Sequence, residues 1–126
     1  MNKEQMDEFL QSIWGLKNGF KLESNPITDS DFFEVDSGWF PLIKDLITDL
    51  IELGWNKEVC QVKEKFGGLR FYINDGSDEV FNRIHKAEKE SLTICEITGK
   101  VGELRTDIPW FRTLSDEEYL KLKNNK

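Results

Sequence analysis

The sequence predicts an α+β fold in one small domain, and three observations carry that prediction. The stretch from Val59 to Ile73 alternates apolar and polar side chains on either side of Gly67-Gly68, as a β-hairpin does. Segments before and after it repeat apolar residues at helical spacing. The chain has 126 residues, enough for one domain that buries roughly 65–70% of its unfolded surface. No repeat, low-complexity stretch or linker divides it, so residues 1–126 read as a single domain with the order ααββαββα.

Each element has its own signal. Met6, Phe9, Leu10, Ile13 and Trp14 form one helical stripe from Lys3 to about Leu16, stopped by Asn18-Gly19. Residues 21–36 are irregular and acidic. A second helix starts near Ser37 with Pro41 in its first turn and ends at Gly54; Phe40, Ile43, Leu46, Ile47, Leu50, Ile51 and Leu53 make its apolar face. In the hairpin, Cys60, Val62, Phe66, Leu69, Phe71 and Ile73 are expected on the core side. Ser77 is a good N-cap for a third helix whose first turn carries Asp78 and Glu79. Val101–Arg105 and Trp110–Leu114 form a second, short hairpin, and Ser115-Asp116-Glu117-Glu118 opens a last helix.

Charge bounds the function classes. Lys and Arg total 17 against 24 Asp and Glu, a net charge of −7. Such a chain is repelled by nucleic acid and by anionic membrane, so the expected partner is a protein with a basic surface. The 2 cysteines make no disulfide framework. Met1-Asn2-Lys3-Glu4-Gln5 has no apolar signal-like core, and no run approaches the ~20 apolar residues of a membrane span. A reduced, cytoplasmic protein with no membrane partner is expected.

Three constellations could carry function. The first is acidic: Asp29, Asp31, Glu34 and Asp36, with Phe32, Phe33 and Trp39 among them, would suit docking on a basic partner. The second is the polar face of the hairpin, where Lys63, Lys65, Arg70 and Tyr72 would contact phosphate and stack a base; Glu64 nearby and the net charge weigh against it. The third is Cys95-Glu96-Ile97-Thr98-Gly99, followed after a short hairpin by Ser115-Asp116-Glu117-Glu118. Its spacing is that of a treble-clef-like zinc knuckle, CxxCG…CxxH. Thr98 and Ser115 stand in place of Cys, and Glu118 in place of His, so only Cys95 remains a zinc ligand. Read alone, Ser115-x-x-Glu118 is a helix capping box. No cofactor is expected. His85 is the only histidine, and no spacing suggests a catalytic dyad or triad.

Taken together, Gly38-Trp39-Phe40, the hairpin motif from Gln61 to Tyr72, Ala87-Glu88 with Ser91, Cys95-Glu96 with Gly99, and Trp110 to Leu114 resemble a family of small uncharacterised proteins of phages, prophages and bacteria. The resemblance covers residues 37–120 and leaves residues 1–36 outside it. It implies the knuckle's shape, with most ligands lost, and no established activity. The expectation is a non-enzymatic acidic binding protein, an anti-defence or immunity-like antagonist of a basic protein surface. A nucleic-acid-associated module using the basic hairpin face is the alternative.

Overall fold

Asn2 opens the first helix with a reciprocal capping box: its side chain accepts from the N–H of Gln5, and the Gln5 side chain accepts from the N–H of Asn2. In the computed structural model, which describes residues 1–19 and 25–124, this helix, α1, covers Lys3–Gln11. It is shorter than its apolar stripe suggests. Ser12 closes it, and the chain turns away so that Leu16 enters the core while Trp14 stays exposed. The part of the acidic segment at residues 21–24 lies outside the described residues.

The architecture is α+β, as the periodicities predict. After α1 come β1 (Lys17–Asn18), β2 (Phe33–Glu34), α2 (Phe40–Glu52), β3 (Glu58–Lys65), β4 (Gly68–Ile73), α3 (Asp78–Ser91), β5 (Glu103–Arg105), β6 (Arg112–Leu114) and α4 (Asp116–Asn124). The strands β1 and β2 are additions to the expected order. Each is two residues long, and both lie parallel to β3, end to end along one edge, through the pairs Lys17↔Glu58 and Phe33↔Val62. On the other side β4 runs antiparallel, pairing Gln61 with Tyr72, Val62 with Phe71 and Lys63 with Arg70. A bulge at Cys60 keeps both Val59 and Val62 facing inward.

The core lies between this sheet and two amphipathic helices. Val59, Val62, Leu69 and Phe71 of the hairpin meet Ile43, Leu46, Ile47 and Leu50 of α2 and Val80, Ile84 and Ala87 of α3. Pro41 sits in the first turn of α2, where its missing N–H leaves no hydrogen bond unmade. Ser77 caps α3 by accepting from the N–H of Val80. The outer edge of β4 is sealed by α3 side chains: Ser91 Oγ accepts from the N–H of Leu69 (2.9 Å) and Glu88 Oε2 from that of Phe71 (3.2 Å). Strand donors that could template pairing with another chain are thereby used internally.

The hairpin turn differs from expectation by one residue. Lys65 pairs with Gly68, so the two-residue turn is Phe66-Gly67, with φ of +53° and +86°. Positive φ at both central positions is the geometry whose twist matches a hairpin, and it favours Asn-Gly. Phe66 therefore leaves the core side to which strict alternation assigns it and is 69% exposed.

The C-terminal segment has its own small cluster, Cys95, Ile108 and Leu114, with Ile97 and Tyr119 packed against it. It is fastened to the main core at Gly38-Trp39. The Trp39 indole N–H donates to the Ile94 carbonyl (2.8 Å), and a Cβ on Gly38 would overlap the carbonyl oxygens of Cys95 and Glu96. Gly38→Ala should therefore destabilise the protein by about 3 kcal/mol or more, because backbone on both sides must move. Urea unfolding checks this; a loss below about 1 kcal/mol would mean that the joint yields easily.

Candidate functional site

The acidic constellation is only partly a surface. Trp39 and Phe33 are buried: Trp39 is held by its bond to Ile94, and Phe33 faces the core beside Val62. Neither belongs to a docking surface, and Phe32 is half-buried against Phe33, with ring centroids 5.9 Å apart. The carboxylates are exposed but engaged. Lys3 reaches Asp7 (2.9 Å), Asp29 (2.7 Å) and Asp31 (3.5 Å), and Arg112 reaches Asp36 (3.0 Å). The hydrogen bond from Lys3, with the N–H of Ser30, draws the Asp7 carboxyl down to about 2. Glu34 accepts from the Gln61 side chain. Positive charge from the chain itself thus meets much of this patch.

The knuckle positions converge without making a metal site. Cys95 is fully buried. Burial alone would raise its thiol, but the Thr98 hydroxyl and the backbone N–H groups of Ser115, Thr98 and Ile97 around the sulfur favour the thiolate and bring it below the ordinary cysteine value. Donors arranged around one sulfur are what a knuckle supplies. The remaining positions do not supply ligands. Ser115 Oγ accepts from the N–H of Glu118 and so caps α4, while the Glu118 carboxylate pairs with Lys121 (3.3 Å). Among the described residues no group of three or more His, Cys, Asp or Glu side chains could hold a metal ion. One thiol and two hydroxyls do not fit zinc.

The basic face assembles as the alternation predicts. Gln61, Lys63 and Lys65 on β3 share the outer side of the sheet with Arg70 and Tyr72 on β4, and Lys63 lies directly opposite Arg70. Glu64 does not share it. The register sets Glu64 opposite Leu69 on the other face, where its Oε1 accepts from the N–H of Gly67 (2.8 Å). Glu34, the neighbour of Lys63 across β2, is the carboxylate that remains on this side.

A feature absent from the sequence reading is an aromatic tip. Gly67 rests against Phe111 and Arg112, and the Thr113 hydroxyl donates to the Gly67 carbonyl (2.7 Å). This brings the Phe66 turn beside the loop that carries Trp110 and Phe111, which are 81% and 43% exposed. The sequence places Trp110 at the start of the last strand; in the fold it precedes β6 and lies outside the small cluster. Its only signal is position, next to Pro109 in a stretch without alternation.

Glu96 is the buried carboxylate of the joint, 5% exposed. Burial pushes its carboxyl above the ordinary value; Asp36 and Glu64 add to this, while the Asp36 N–H (3.0 Å) and Arg112 (3.8 Å) work against it. A raised carboxyl binds its proton more tightly in the folded chain than in the unfolded one. Ionised Glu96 therefore withdraws stability as pH rises from the ordinary carboxylate range through its folded value. Glu96→Gln should be neutral to about 1 kcal/mol stabilising at pH 7, and the difference should vanish below about pH 4. Paired unfolding curves at the two pH values check this; a variant less stable at pH 7 would show that the Arg112 pair outweighs desolvation. Ser115→Ala should cost about 1 kcal/mol through loss of the α4 cap, read in the same assay.

No family model matches the chain, and neither curated proteins nor solved structures show a match to it.

Proposed function

We propose that the chain is a non-enzymatic acidic binding protein that docks on a basic protein surface, in the manner of a phage or mobile-element antagonist. The observation that carries this reading is Phe66. A bulky side chain at positive φ is strained, and this one is exposed as well. Its one aromatic interaction is with its sequence neighbour Lys65, whose ammonium lies 5.7 Å from the ring centroid. Asn at this position would suit the turn better. Strain retained at an exposed ring points to a contact outside the chain.

Trp110 and Phe111 extend the same surface, and aromatic anchors on rigid turns are the residues that dominate protein interfaces. The net charge of −7 would steer a basic partner toward it. Asp36, exposed beside Arg112, lies at its border, so the acidic segment contributes charge at the rim. The antagonist role rests on the motif-level resemblance.

Phe66→Asn should stabilise the isolated protein by about 0.5–1 kcal/mol, and Trp110→Ala should leave its stability within about 0.5 kcal/mol. Both should abolish capture of the same basic protein from a lysate of the native host, identified by mass spectrometry. Equal capture by wild type and both variants would reject the aromatic tip as the docking surface.

A further inference from the structure

The geometry points to a second binding surface: the outer face of β3 and β4, built to hold single-stranded nucleic acid. Two observations carry it. The first is where uncommitted positive charge lies. Among the described residues, nine cationic side chains stand within ion-pair distance of carboxylates, from Lys3 to Lys123. Lys63, Lys65, Arg70 and Lys89 are not among them. The first three occupy the outer hairpin face, and Lys89 lines a shallow cavity with Arg70, His85 and Leu92. Glu88 also lines that cavity, with its Oε2 committed to the N–H of Phe71. Two other described cations also lack a carboxylate, Lys44 over the Phe9 ring and Lys57 over the Trp14 ring, but they stand apart from each other; the hairpin is where unpaired cations gather on one face.

The second observation is that this arrangement opposes folding. Lys63 and Arg70 are direct cross-strand neighbours, and like charges in that position destabilise a hairpin. Glu64 of the hairpin is turned to the other face, and Glu34, the β2 neighbour of Lys63 on this face, accepts from Gln61 and forms no ion pair with either cation. An anion bound across the ribbon would relieve the repulsion. Tyr72, next along the face, and Phe66 at its tip present ring surface that phosphate alone would not use. A polyanion with flat groups matches both, and bases must be unstacked from a duplex to be reached. The acidic remainder of the chain limits the contact to this face, so binding is expected to be weak and steeply salt-dependent.

The test is fluorescence anisotropy with labelled oligothymidylate of about 20 nucleotides across a salt series. With three phosphate contacts the slope of log K against log salt should be near −2, about −0.7 for each contact. Lys63→Ala, Lys65→Ala and Arg70→Ala should each weaken binding and flatten the slope by about 0.7. Tyr72→Ala should weaken binding roughly tenfold with the slope unchanged, and Lys44→Ala should change neither. Thermal unfolding of each variant confirms that it is folded. Salt-independent binding, no binding at low salt, or binding that survives the combined Lys63, Lys65 and Arg70 changes would each overturn the inference. So would polyglutamate competing as well as the oligonucleotide, which would make the face a site for acidic peptide. Trp110→Ala leaves this face intact, so failure here and failure of the protein-docking reading are separable.

Discussion

The close approach of Gly38 to the backbone of Cys95 and Glu96 is the constraint on which the rest of the structure depends. The C-terminal segment has only a small apolar cluster, too little to hold a hairpin and a helix unaided. Four side-chain bonds tie it to the rest of the fold: the Trp39 indole to Ile94, the Asp36 N–H to Glu96, the Arg112 guanidinium to Asp36, and the Thr113 hydroxyl to Gly67. Beside the Trp39 and Asp36 bonds the two backbones touch, which only a residue without Cβ permits at position 38. Through Thr113, the same joint places the Phe66 turn beside Phe111. The exposed aromatic tip is thus a consequence of how the segment is bolted on.

That arrangement explains what the motif residues do. Gly38-Trp39, Gly67, Ser91 with Glu88, and Cys95-Glu96 all occupy the joint or the sealed edge of β4. Cys95 illustrates the same use. Against the effect of its burial, the polar groups of Thr98, Ser115 and Ile97 that surround it bring its thiol below the ordinary cysteine value. Ser115 turns its oxygen to the start of α4. These residues build the scaffold, and a chemical role would have to come from what the scaffold displays.

The helices α2 and α3 and the long hairpin were legible because each buries one regular face, so periodicity and caps report the packing directly. The strands β1 and β2 were not, because two residues carry no period and exist only through pairing with β3. The site was legible unevenly. Lys63, Lys65, Arg70 and Tyr72 share a face because strand alternation guarantees it. Phe66 was misplaced because a one-residue shift of the turn changes its side, and that shift is set by the pairing of Lys65 with Gly68. The ion pairs of the acidic segment are illegible for a different reason. Asp36 meets Arg112 from 76 positions away and Asp29 meets Lys3 from 26, distances at which no local pattern predicts a partner. Burial of Trp39 likewise depends on a carbonyl 55 residues distant.

Several features that oppose folding share one region. Phe66 strains its turn, Lys63 faces Arg70 across the strands, and Trp110 is exposed beside them on the adjoining loop. Sequences that fold well are consistent at every level, and departures from consistency mark places where something other than folding decides the residue. Elsewhere α1 and α3 are capped, the edge of β4 is sealed, and most cations lie beside carboxylates; Lys57 at φ +65° and the buried Glu96 are separate exceptions. In the hairpin region they are of two kinds, strained or exposed rings at the tip and unmatched cations along the face. Rings suit a partner that buries apolar surface; unmatched cations suit one that brings negative charge. A net charge of −7 makes the second interaction costly at a distance. Only contact at short range, with phosphates set directly on Lys63 and Arg70, turns that local repulsion into attraction.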